Sequence, residues 1–100
     1  MVRNRTKGKL KPVDQDEENI RSNAKYYTVV GFKPGEGRKL FQTFENLMWA
    51  KEYCKELLRD GSLRLRATMI YAVDEYDRNA LVGTMNLDEI WKDVEVKRYA

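Results

Sequence analysis

Among its 100 residues the chain has no histidine, one cysteine, two prolines and two serines. Without histidine it lacks the side chain that most often serves as general base or metal ligand near neutral pH. A lone Cys54 excludes an intrachain disulfide and a Cys/His zinc site, and it points to a reducing cytoplasm. Ser22 and Ser62 lie in no nucleophile-elbow motif. No apolar run approaches the roughly 18 residues that cross a bilayer, so no membrane span is expected. The basic N-terminus lacks the apolar core of a secretory signal, which leaves the Asn4-Arg5-Thr6 sequon without a glycosylation role. The sequence therefore leads us to expect neither an enzyme nor a cofactor nor a metal site.

What is present supports one small domain. Hydrophobic residues make up 42% of the chain and aromatics 11%, enough for a packed core. The net charge of +3 is unevenly placed. Residues 1–13 hold five cations (Arg3, Arg5, Lys7, Lys9, Lys11) and no acid, whereas Asp14, Asp16, Glu17 and Glu18 follow at once. With no apolar periodicity up to about residue 23, this segment reads as a flexible charged arm, followed by a single domain over residues 24–100.

Lys25–Lys33 (KYYTVVGFK) is rich in aromatic and β-branched residues and predicts a strand. Pro34-Gly35-Glu36-Gly37 predicts a turn, and Arg38–Gln42 a returning strand. Thr43 is a candidate N-cap for a helix over Phe44–Asp60 that stops at Gly61. At helical spacing Leu47, Ala50, Cys54, Leu57 and Leu58 form one apolar stripe. That position makes Cys54 a core residue, not a thiolate. Leu63–Asp74 reads as the longest strand. Its odd residues (Leu63, Leu65, Ala67, Met69, Tyr71, Val73) are expected to face the core, and its even residues the outside. Residues 75–79 form a loop whose acids, with Asp74, are read as solvated. Ala80–Met85 is a last strand, and Asn86 with Glu89 has capping-box form for a short helix, Leu87 to about Asp93. Val94 and Val96 alternate with charged residues as a short edge strand would. The expected fold is α+β, in the order β-β-α-β-β-α, with about four antiparallel strands and one main helix packed on one face.

Two binding readings follow. In the first, a protein partner of unidentified kind docks on Trp49 and Tyr53, which lie off the helix stripe, together with Arg64, Arg66 and Ile70 on the outer strand face. In the second, nucleic acid binds the arm cations and a basic surface of Arg38, Lys39, Arg64 and Arg66. The second lacks any aromatic–basic signature motif, and the first is preferred.

Met69–Glu75 (MIYAVDE), with Arg78 and Ala80–Thr84 (ALVGT), resembles small, uncharacterised proteins of tailed bacteriophages over about residues 25–86. The resemblance implies expression inside a bacterial host and binding to a host or phage macromolecule. It carries over no functional residue.

The helix stripe makes a direct prediction. Removing one leucine from a core costs about 1.5–3 kcal/mol before the charge is counted, so Leu57→Asp is expected to unfold the domain. A soluble Leu57→Asp variant with a cooperative urea transition would show the stripe to be misassigned.

Overall fold

The computed structural model describes residues 15–94. Its first strand, β1, runs Tyr26–Lys33, and Pro34-Gly35-Glu36 turns the chain into β2, Gly37–Phe44. The Glu36 N–H donates to the Lys33 carbonyl at 3.0 Å, and the Glu36 carboxylate bridges Lys33 (3.1 Å) and Lys39 (3.2 Å). The register is Phe32 opposite Arg38 and Val30 opposite Leu40, with a bulge between Val29 and Val30. That bulge lets both Phe41 and Phe44 pack into the core cluster under the helix.

The main helix, α2, runs Leu47–Arg59. Its N-cap is Asn46, whose side-chain oxygen accepts from the N–H groups of Met48 (2.7 Å) and Trp49 (3.2 Å). Thr43 is therefore not the cap: it and Phe44 remain in β2, paired with Thr28 and Tyr27. Strand pairing outcompetes the local capping signal there. The apolar stripe packs as its spacing predicts. Ala50, Cys54, Leu57 and Leu58 are buried, and Leu47 is half-buried against them.

Beyond α2 the chain does not enter a strand at Leu63. Residues 60–66 form a loop in which the Ser62 N–H and hydroxyl both donate to the Asp60 carboxylate. Arg64 takes φ +57°, a conformation no strand allows. Strand β3 is Ala67–Val73. This break reverses the expected faces. Leu65 still reaches the core, but it does so from the loop, and the strand then buries Thr68, Ile70 and Ala72 on its helix side. Ala67, Met69 and Tyr71 turn the other way and are half-buried. Ile70 is fully buried between Val29, Met85 and α2, so it is not an outward partner residue.

Strand β4 (Asn79–Asn86) returns beside β3, and a three-residue strand, β5 (Trp91–Asp93), follows where the capping-box reading expects helix. The local hydrogen bonds explain that difference. The Glu89 N–H is taken by the Asn86 carbonyl and the Ile90 N–H by the Asp88 carboxylate, with Glu89 at φ +61°. These bonds close a turn in place of a helical one. Arg59 at the end of α2 reaches the Glu89 carboxylate at 2.7 Å and ties this turn to the helix. Of the expected final strand only Val94 falls among the described residues, and its N–H donates to the Val82 carbonyl.

The sheet thus has five antiparallel strands in the order β2-β1-β3-β4-β5, one more than expected. A further helix, α1 (Gln15–Ser22), occupies part of the segment read as a flexible arm. Its Ile20 is buried with Ala72 and Ala80, and Arg21 donates from Nε to the Leu81 carbonyl at 2.8 Å. Arg21 is also paired with Glu17 and Glu18, so three charged residues that read as solvated hold one docked turn. The remainder of the arm, including Arg3, Arg5, Lys7, Lys9 and Lys11, lies outside the described residues. Ile70 meets α2 and Ala72, two residues on, meets α1, so both helices lie on one face of the sheet.

Two glycines permit this packing by having no Cβ. One at Gly31 would come within 2.7 Å of the Phe41 ring and 2.9 Å of Leu65. One at Gly83 would collide with the Trp91 ring and with the carbonyl oxygen of Lys92. Gly83→Val is therefore expected to push β5 off β4 and to cost about 1–3 kcal/mol, the usual range for overpacking. Urea unfolding reads the loss as a lowered midpoint. An unchanged midpoint would mean that Trp91 does not lie over Gly83.

Candidate functional site

With both helices on one side, the opposite face of the sheet carries no element among the described residues. By register, β1 presents Tyr26, Thr28, Val30 and Phe32 on that face, β3 presents Ala67, Met69 and Tyr71, and β2 presents Arg38, Leu40 and Thr43. Leu40 is 73% exposed and Phe32 39%. A shallow hollow of about 360 Å³ lies on this face between Tyr26, Thr28, Val30, Leu40, Tyr71 and Val73. Arg38 reaches across β1, and its Nη1 donates to the Tyr71 hydroxyl at 2.9 Å. The three strands contribute no carboxylate to this face.

The residues expected to bind a protein partner do not assemble into one patch. Trp49 is 67% exposed at the first turn of α2, with Met48 exposed beside it. Tyr53 is half-buried, its ring 5.1 Å from that of Phe44, and it packs against the core. Trp91 is the aromatic that the C-terminal segment lays against the core, where Lys51 Nζ sits 4.7 Å from its ring. It leaves Trp49 uncovered. Ile70 is inside, and Arg64 and Arg66 belong to the loop before β3 instead of to a strand face.

Of the cations in the nucleic-acid reading, Arg64 and Arg66 come together in one hollow, and Arg38 and Lys39 lie on the neighbouring strand. The Arg66 N–H donates to the Phe32 carbonyl at 2.9 Å, which fixes the loop before β3 against the end of β1. Arg64, Arg66 and Lys33 then line one hollow of about 450 Å³ with Pro34, Glu36 and Leu65. Arg38 and Lys39 stand on β2 at the same end of the sheet. Hydrogen bonds from Lys33 and Lys39, reinforced by their charge, hold the Glu36 carboxyl below its ordinary value. Neither Arg64 nor Arg66 is ion-paired among the described residues.

Two other groups have settled roles. Burial pushes the Cys54 thiol above its usual pKa, against a weaker opposing hydrogen bond with Thr68, which is the wrong direction for a nucleophile. Asp74 is not the solvated acid expected of a hairpin loop, since its side chain is 3% exposed. It accepts from the N–H groups of Tyr76 and Arg78 and from the Arg78 guanidinium, at 2.8–2.9 Å. Burial favours its neutral form, but these bonds and the Arg78 charge outweigh burial and lower its pKa. Asp77 and Glu75 are exposed, as expected. Among the described residues no group of three or more acidic or cysteine side chains is placed to hold a metal, and no helix is long and apolar enough to cross a membrane.

The sequence reading did not place Phe32, Leu40, Met69 and Tyr71 together on the helix-free face. One cue was available for Phe32. The tight turn at Pro34–Glu36 sets Phe32 opposite Arg38, and a cation beside it marks that face as the wet one. No family model, curated protein or solved structure matches this chain, and the likeness to phage proteins gains no support from them.

Asp74 makes a pH prediction with a definite sign. Because folding lowers its pKa, its contribution is fully present above the unfolded value of about 3.9 and is lost as pH falls through the lower folded value. Asp74→Asn is expected to lower the urea midpoint at neutral pH, and its deficit against wild type is expected to narrow in strong acid. A deficit that stays constant with pH would assign the effect to packing alone.

Proposed function

We propose that this chain is a non-enzymatic binding protein of the cytoplasm that docks a protein partner on the helix-free face of its sheet. The observation that carries this reading is the composition of that face. Phe32, Leu40, Met69 and Tyr71 lie around Val30 with one cation, Arg38, and no carboxylate. A partner suited to it carries an apolar side chain for the hollow beside Leu40 and a carboxylate for Arg38. The absence of histidine and the raised pKa of Cys54 favour binding over catalysis. Trp49 belongs to the helix side, so a partner on the sheet face does not touch it.

The sequence likeness to phage proteins makes a bacterial lysate the place to look for the partner. The expected result is one defined protein, retained after nuclease treatment and at high salt, that binds the purified chain. Leu40→Ser is expected to weaken that purified pair at least about tenfold, as loss of an anchor side chain does, while Trp49→Ala leaves it intact. The opposite ranking of the two variants would move the site to the first turn of α2. Retention that disappears with nuclease or salt would reject the protein reading.

A further inference from the structure

Rows of side chains cross the helix-free face and define its centre. On β1 the rows begin at Phe32, Val30, Thr28 and Tyr26, and β3 continues them as Ala67, Met69, Tyr71 and Val73. On β2 the matching residues are Arg38, Leu40 and Thr43, because the bulge carries Phe41 inward. Glu45 follows one residue beyond the end of that strand, past the Tyr27–Phe44 pair. Five strands about 4.8 Å apart and four rows about 6.7 Å apart make roughly 600 Å² of face. Two such faces together bury about 1,200 Å², where stable interfaces begin.

A two-fold axis lying across the strands, midway between the Val30 and Thr28 rows, superposes all four rows and lays β2 on β2 of a second copy. Leu40, at 73% the most exposed large hydrophobic among the described residues, then stands over Thr28 and Thr43, which line the hollow with Val30 and Tyr71. Met69 comes level with Tyr71 of the other copy. Arg38 comes level with Glu45 of the other copy, an exposed residue in no ion pair among the described residues. The two Arg38 side chains stay about 20 Å apart along the strands, so like charges do not meet. A second copy thus brings both things the face calls for, an apolar side chain for the hollow and a carboxylate for Arg38.

We propose that the chain forms a two-fold dimer with its helix-free faces stacked, Leu40 of each copy filling the hollow of the other and Arg38 pairing with its Glu45. The dimer rests on the docking of a protein at this face and identifies that protein as a second copy of the chain. Two antiparallel sheets packed about 10 Å apart with their strands nearly aligned bury such faces in many proteins.

The test is sedimentation equilibrium of the full chain over a wide range of loading concentrations. The wild type is expected to approach twice the 11.8 kDa chain mass as concentration rises. Leu40→Ser is expected to weaken dimerisation at least about tenfold, and Trp49→Ala to leave it unchanged. Arg38→Glu and Glu45→Arg each set like charges against one another and are expected to weaken it too. The double variant Arg38→Glu/Glu45→Arg restores an opposite pair and is expected to recover the dimer. Arg38, Leu40 and Glu45 are all exposed, so each variant is expected to melt like the wild type. A chain that stays monomeric at every concentration overturns the dimer. Capture of another protein that Leu40→Ser weakens would then keep the docking face with a different occupant, and absence of any such capture would reject the face itself. A dimer indifferent to Leu40→Ser, or a double variant no stronger than the single ones, also overturns the proposal, because the copies would then meet on another surface.

Discussion

Everything else in this molecule follows from how closely α2 lies on β1, β3 and β4. Its contact residues are Ala50 and Cys54 at the centre, with Leu57 and Leu58 at one end, set against Val29, Ile70 and Met85. Two small side chains at the middle of the helix face let the helix approach the sheet. Two leucines, each worth about 1.5–3 kcal/mol when buried, then fix its position. Asn46 sets where that helix begins, and Arg59 carries the β4–β5 turn on its far end. Once Ile70 is the residue under the helix, Met69 and Tyr71 have nowhere to go but the other face.

That constraint also generates both candidate surfaces. The helix-free face is apolar because β3 is apolar on both sides and, among the described residues, the helices cover only one of them. The basic rim exists because the loop after α2 must bring the chain back to pair with β1, and it does so by hydrogen-bonding Arg66 to Phe32. Arg64 and Arg66, more than twenty residues from Lys39 in sequence, arrive beside the first hairpin as a consequence. The loop's irregular backbone is what lets Leu65 enter the core while the arginines on either side of it stay exposed.

Charged side chains take structural roles that composition does not announce. Arg21 closes α1 onto the Leu81 carbonyl, and Asp74 knits the β3–β4 turn with four donors. In both cases a charge that a linear reading assigns to solvent is taken up by protein groups, within four residues for buried Asp74 and partly across on β4 for half-buried Arg21, which keeps the desolvation penalty covered.

The sequence by itself determined the features whose energetics are local. The α2 stripe follows from helical spacing, the first hairpin from Pro34 and the residues after it, and the strand character of β1, β3 and β4 from their aromatic and β-branched content. The α+β class with an antiparallel sheet follows from their order. Only the tertiary structure decided which face of β3 is inside, because period-2 alternation separates faces only when one of them is polar, and Thr68, Ile70 and Ala72 compete with Met69 and Tyr71 on nearly equal terms. It also decided that residues 15–22 dock as a helix and that Trp91 joins the sheet as β5. One buried Ile20 and one glycine under an indole settle those outcomes, and both depend on surfaces supplied by residues far away in the chain.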